Sequence, residues 1–280
     1  MRTIQAKTIV DAVASLCKEA NTNLPPDVVL AVKRAAKREV SSLGRKVLKA
    51  ILENAEIASA ESLAICQDCG VANFFVNMGV DVRIEGMNLQ EAIAEGTRIG
   101  YVNNHLRKSV VSDPFTRRNT SDNTPPFVHC HHVDGDRIHI RFMPKGAGCD
   151  NVSTVRMLNP SDGPDELKRS VLSVVHQAGA KPCPPVTVGI GVGGTIDTVA
   201  GLAKKALFRQ IGTTHPSQLY RKLESELLNE INALGIGPLG FGGKVTALAV
   251  FIESGPCHIA SLPLAVNLQC HAYRRAEVVI

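Results

Sequence analysis

Residues 66–69 of the chain read Cys-Gln-Asp-Cys. A C-x-x-C of this kind is the spacing of a dithiol redox pair or of half a zinc site. No second C-x-x-C exists and the histidines lie elsewhere, so a closed four-ligand zinc site has only half its ligands here. His129-Cys-His-His132 gathers three imidazoles and a thiol. On a strand, His129 and His131 would share one face; they could hold a metal, although a half-exposed polar hairpin explains the same residues. Cys183 lies in Lys181-Pro-Cys-Pro-Pro185, where prolines fix φ and remove backbone donors on both sides. Its thiol is therefore displayed from a stiff loop. Cys270 is similar in kind: it ends an apolar stretch and enters His271-Ala-Tyr-Arg-Arg275. Gly189-Ile-Gly-Val-Gly-Gly194 satisfies G-x-G-x-x-G, but the acidic residue that would hold a ribose some twenty positions later is missing. It reads as a tight strand-to-helix turn whose N–H groups could cradle an anion. Cys17, on an apolar helical face, reads as core packing.

These residues need a scaffold, and the chain is long enough to build one. It has 280 residues, 44% hydrophobic and 20% charged, which excludes disorder, collagen and coiled coil. Trp is absent and aromatics make up 4%, against a stacking platform for single-stranded nucleic acid. The net charge of +5 is scattered in pairs such as Arg117-Arg118, Lys204-Lys205 and Arg274-Arg275. Nucleic-acid binding would want one basic stripe; a solvated surface explains most of these pairs. No apolar run is long enough to span a bilayer, and the N-terminus offers no signal-peptide core. The expectation is a soluble, cytoplasmic protein with reduced thiols, binding neither nucleic acid nor membrane.

Helical periodicity covers much of the first sixty residues, then 89–101, 164–178, 197–208 and 218–234. Residues 63–70 and the long polar stretch 103–126 read as loops, the second too long to be idle. Residues 127–142 read as a β-hairpin about Asp134-Gly135, and 186–192 as a strand. The fold class expected is α+β: an N-terminal helical region followed by a mixed sheet with helices.

With these pieces assembled, the sequence resembles the α subunit of the two-subunit, iron–sulfur class I fumarate hydratases, relatives of the L-tartrate dehydratases. The resemblance rests on Ile65-Cys-Gln-Asp-Cys-Gly70, Leu106-Arg-Lys-Ser-Val-Val-Ser-Asp-Pro114, Asn119-Thr-Ser-Asp-Asn-Thr-Pro125 and Pro144-Lys-Gly-Ala-Gly148. It continues through residues 182–195, Gly240-Phe-Gly-Gly-Lys244 and Ala265-Val-Asn-Leu-Gln-Cys270. It covers nearly the whole chain, so 1–280 is expected to be one cluster-binding domain like the N-terminal domain of class I fumarases.

The resemblance implies a [4Fe–4S] cluster held by Cys66, Cys183 and Cys270, with one iron not ligated by cysteine. An iron left open in this way can act as a Lewis acid on a substrate hydroxyl and carboxylate. Cys69 then becomes a bystander where the family usually has Thr, and Cys149 sits where relatives often carry Ser. The same resemblance places Gln67, Asp68, Arg107, Gly148 and His258 in the substrate pocket. Asp68 would transfer a proton with Gln67 orienting it, Arg107 would grip a carboxylate bidentately, and the Gly148 backbone would approach the ligand.

In single-chain relatives a C-terminal domain adds Arg, Lys and Thr side chains, including a threonine base. Here a separate β subunit is expected to supply them, in an (αβ)₂ assembly, so that the chain alone would be inactive. The activity implied is reversible hydration of fumarate to L-malate, a small dicarboxylate. Dehydration of L-tartrate to oxaloacetate is the alternative within the family. Outside it stand a redox or iron-sensing protein using Cys66 and Cys69, and a dinucleotide-binding module on residues 189–194.

Overall fold

A computed structural model describes residues 1–280, and their fold is α+β. The elements in chain order are β1 (Arg2–Gln5), α1 (Ala6–Thr22), α2 (Pro26–Arg38), α3 (Ser42–Glu61), β2 (Val71–Gly79), β3 (Val82–Glu85), α4 (Leu89–Asn103), β4 (Phe127–Val133) and β5 (Ile138–Lys145). There follow α5 (Ala147–Asp150), β6 (Thr154–Leu158), α6 (Gly163–Ala178), β7 (Val186–Gly194), α7 (Thr198–Ala206), α8 (Gln218–Ala233), β8 (Ala247–Cys257), β9 (Leu262–Gln269) and β10 (Ala276–Val279). They fall into two compact units: residues 1–25, 55–146 and 274–280, and residues 26–54 and 147–273. No helix is long and apolar enough to cross a membrane.

In the first unit, a four-stranded sheet in the order β10-β5-β2-β4 is packed against α1 and α4. Helix α1 turns Ile9, Val13, Leu16 and Cys17 inward, the i, i+4, i+7 spacing of one apolar face. Helix α4 meets that face through Gly96 and Gly100, where a Cβ would lie 2.6 Å from the Cβ atoms of Val13 and Cys17 respectively. Two glycines thus let the helices approach closely, and Cys17 is core packing, as its place on the apolar face predicts. Strand β1 pairs in parallel with β3, an addition to the all-helical reading of the first sixty residues.

The expected hairpin is not one. Strands β4 and β5 exist, but β2 lies between them, parallel to β4 and antiparallel to β5. Residues 134–137 arch over the end of β2 instead: Gly79, Val80 and Asp81 donate to Arg137, Val133 and Gly135. A side chain at Gly79 would strike the Gly135 carbonyl. Strand β2 takes the centre because it is the most apolar of the three, with Ala72 to Val76 all buried, whereas β4 is an exposed polar edge. His129 of that edge stacks on Phe75 with ring centroids 4.4 Å apart.

In the second unit the sheet order is β6-β9-β7-β8, with β7 parallel to β8 and antiparallel to β9. Val188 and Ile190 of β7 join a core with α6 and α8. Gly189 and Gly191, on the opposite face, lie directly under the α7 backbone at Ala203 and Val199. The G-x-G-x-x-G stretch is therefore mostly strand rather than a strand-to-helix turn. Its first two glycines make room for a helix.

Candidate active site

In the first unit the sequence-predicted residues Cys66, Gln67 and Asp68 lie on the loop between α3 and β2. That loop is fastened from several directions. Tyr101, fully buried in α4, donates its hydroxyl to the Cys69 carbonyl at 2.9 Å. Asn123 donates Nδ2 to the Gly70 carbonyl at 3.1 Å, while its Oδ1 accepts the N–H groups of Ser109 (2.6 Å) and Val110 (3.2 Å). Asn123 has φ +65°, a left-handed conformation that Asn tolerates better than most residues. One buried amide thereby ties the long polar connection to the cysteine loop at three points of backbone.

Asp68 is held by its own loop. Its Oδ1 accepts Gly70 N–H at 2.9 Å and the Ser109 hydroxyl at 3.4 Å. Gly146 leaves room beside Oδ2: a Cβ there would lie 3.1 Å from it. The backbone of Asp68 is fixed as well, because Arg274 donates to its carbonyl at 2.8 Å and to Asn21 Oδ1 at 2.9 Å. Arg274 is 1% exposed, and its Nε is buried without a hydrogen-bond partner. The Arg274-Arg275 pair, read as solvated charge from the sequence, therefore contains the largest fully buried side chain in the chain.

Cys69 sits beneath this loop, 2% exposed. Its sulfur accepts the backbone N–H of Arg107 at 3.2 Å, so it helps place the residue expected to grip a carboxylate, whose own side chain is exposed. Burial pushes the Cys69 thiol up, outweighing the Arg107 N–H and the Arg274 cation, which favour the thiolate.

In the second unit the loop carrying Cys183 is equally built. Cys183 has φ +53° and an exposed side chain, a backbone state that costs a non-glycine residue about 1–3 kcal/mol. Surrounding bonds hold it: Cys183 N–H donates to Ala180 O, Leu239 N–H to Pro184 O, and His271 N–H to Cys183 O at 3.2 Å. His271 Nδ1 also lies 3.0 Å from that carbonyl. The residue after Cys270 is thus bonded to Cys183, which brings two of the three expected cysteines onto one framework. Cys149 donates to Pro182 O at 3.6 Å, and a Cβ at Gly148 would lie 3.1 Å from Lys181 O. Gly148 and Cys149 therefore pack on the same loop. His258 is exposed in the turn between β8 and β9, its Nδ1 accepting Ala260 N–H at 3.0 Å.

No three His, Cys, Asp or Glu side chains stand together at metal-ligand spacing. The donor set nevertheless suits an iron–sulfur cluster. No cysteine is in a disulfide, thiolates are the usual ligands of cluster iron, and Cys66 Sγ accepts the Asp68 N–H at 3.4 Å. A buried guanidinium without a carboxylate is costly, and an anionic thiolate-bound group near the loop that Arg274 holds would offset that charge.

Sequence reasoning missed Asn123, Tyr101, Ser109 and Arg274. Asn123 and Ser109 fall inside motifs that were visible, but only the fold shows that they meet the cysteine loop.

A family model described as Fumarate hydratase (Fumerase) matches residues 10–279. A protein of Methanocaldococcus jannaschii with the provisional name L(+)-tartrate dehydratase subunit alpha is 46% identical over 274 residues, 96% of either chain. The L(+)-tartrate dehydratase subunits alpha of Escherichia coli O157:H7 and K12 are 32% and 31% identical, each covering 97% of this chain and 90% of their own. The extent of the family match and the full-length relatives agree with the motifs around Cys66, Arg107 and Cys183: the chain belongs to the fumarate hydratase (Fumerase) family of hydro-lyases.

Proposed function

We propose that the chain is the α subunit of a [4Fe–4S]-dependent hydro-lyase that interconverts fumarate and L-malate. The observation that carries this reading is the Cys66–Gly70 loop, fastened by Tyr101, Asn123 and Arg274 around Asp68, in a chain of the fumarate hydratase family. Cys66, Cys183 and Cys270 would be the three ligands, within a functional module that spans residues 1–280. When bound, the cluster would supply a Lewis-acidic iron without a cysteine ligand.

The chain's own residues have separate tasks. Asp68, whose Oδ1 is oriented by Gly70 N–H and the Ser109 hydroxyl, moves a proton to or from the substrate hydroxyl. Gln67, exposed beside it, orients that hydroxyl. Arg107, its backbone pinned by Cys69, presents a planar fork suited to a substrate carboxylate. Gly148 lets the backbone come close to the ligand, and His258 binds at the pocket mouth.

The names of the relatives, subunits alpha of L(+)-tartrate dehydratases, favour a partner β subunit, which we place in an (αβ)₂ assembly. They also favour a second reading, dehydration of L-tartrate, whose substrate differs by one hydroxyl. Co-expression with the β subunit and comparison of kcat/KM for L-malate and L-tartrate decides between them. Preference for L-malate supports the first reading and preference for L-tartrate the second. Comparable turnover by the chain without its partner would contradict the two-subunit account.

A further inference from the structure

The second unit contains a cavity of about 700 Å³, within the range of small-molecule sites. Its floor is apolar, formed by Ala31, Leu228, Leu248 and Val250. Its rim is cationic: Arg34, Lys37 and Arg38 from α2, and Arg221 from α8. All four are exposed.

None of these cations has an acidic partner. Arg34, Lys37 and Arg38 make no ion pair, and Arg221 bonds only the carbonyls of His215 and Pro216. The three on α2 lie at i, i+3 and i+4, so they crowd one face, where like charges destabilise a helix. A face that served solubility alone would interleave acids. The lone carboxylate of the lining, Glu224, is already neutralised by Arg209 and also accepts Ile252 N–H. The acid at the start of α2, Asp27, takes Ile211 N–H at 2.7 Å, which anchors the loop that closes the cavity. The positive field therefore stands unbalanced over a concave apolar surface, an arrangement that concentrates anions.

We propose that this cavity binds an organic polyanion with an apolar body, of the nucleoside phosphate class. Arginine forks take phosphate oxygens bidentately, Thr214 adds a hydroxyl at the rim, and a base or comparable ring covers the apolar floor. The proposal does not rest on the assignment of the reaction, because none of its residues belongs to the candidate active site.

Isothermal titration of the full chain, and of its complex with the β subunit, with ATP, pyrophosphate and adenosine tests it. ATP is expected to bind with a Kd below about 1 mM, pyrophosphate more weakly, and adenosine without measurable heat. The double variant Arg34→Ala/Arg38→Ala is expected to weaken ATP binding at least about tenfold with an unchanged thermal midpoint, since both side chains are exposed. Absence of ATP binding in both preparations, an equal Kd in the double variant, or adenosine binding as tightly as ATP would each overturn the proposal.

Discussion

The guanidinium of Arg274 reaches the carbonyl of Asp68 at 2.8 Å from a position that is 1% exposed. A cation from the C-terminal segment thus fixes the backbone of a residue two positions after Cys66, and it does so with a neutral acceptor rather than a carboxylate.

Arg274→Met should lower stability. It leaves the Asp68 carbonyl and Asn21 Oδ1 without the donors they now have, at about 1–3 kcal/mol each for buried groups. Arg274→Lys should not restore the loss, because a single ammonium cannot reproduce the fork that serves both acceptors. Urea unfolding of the three proteins measures this, and a Lys variant as stable as wild type would contradict the fork assignment.

Asn123→Ala should cost a similar amount, about 1–3 kcal/mol, since Ser109 N–H, Val110 N–H and the Gly70 carbonyl lose one shared partner. Hydrogen exchange should report the change locally, with faster exchange at Ser109 and Val110. Unchanged protection there would show that the amide is not the tie between the two segments.

Gly146→Ala separates placement from stability. The added Cβ would lie 3.1 Å from Asp68 Oδ2, so the carboxylate must shift by a few tenths of an ångström. Misplacement of a proton-transfer group lowers kcat by about ten- to a hundredfold, while the unfolding midpoint should stay close to wild type. Full activity in the reconstituted complex would remove Asp68 from the proposed role.

Glu39 supplies a pH prediction away from the active site. Burial pushes its carboxyl up, but backbone N–H groups of Ser41, Lys244, Val245 and Val40 together hold it below the usual carboxylate range. A depressed carboxyl contributes stability that is present above its unfolded value of about 4.3 and lost as pH falls through the lower folded value. The stability gap between wild type and Glu39→Gln should therefore be full at neutral pH and shrink below about pH 5. Gly243, a member of the Gly240-Phe-Gly-Gly-Lys244 motif, lies against this carboxylate with no space for a side chain, which gives that motif a structural purpose.

Much of the fold was legible in the sequence where periodicity was strong. Helices α6 and α8 fall within a residue of the bounds expected from their apolar spacing. The hairpin failed for a reason of competition: Asp134-Gly135 is a local turn signal, but β2 is more apolar and claims the central position between β4 and β5. The G-x-G-x-x-G stretch failed because glycine serves two purposes, phosphate approach and helix packing, and only the position of α7 distinguishes them. At the candidate site, the exposed Cys183 with its left-handed backbone matches the stiff-loop reading. Arg274 was misread because a charged pair looks solvated until burial is known. Cys69, which the resemblance leaves outside the ligand set, has a structural task that its motif does not reveal, since its sulfur accepts Arg107 N–H.

Three thiolates, those of Cys66, Cys183 and Cys270, are proposed to hold one cluster. Anaerobic reconstitution with iron and sulfide, followed by iron and sulfide counts per chain, addresses it most directly in the wild type and in five Cys→Ser variants at positions 66, 183, 270, 69 and 149. The expected result is about four irons per chain in wild type, loss in the variants at 66, 183 and 270, and retention in those at 69 and 149. A wild-type chain that takes up no cluster, or one whose cluster needs Cys69 or Cys149, would contradict it.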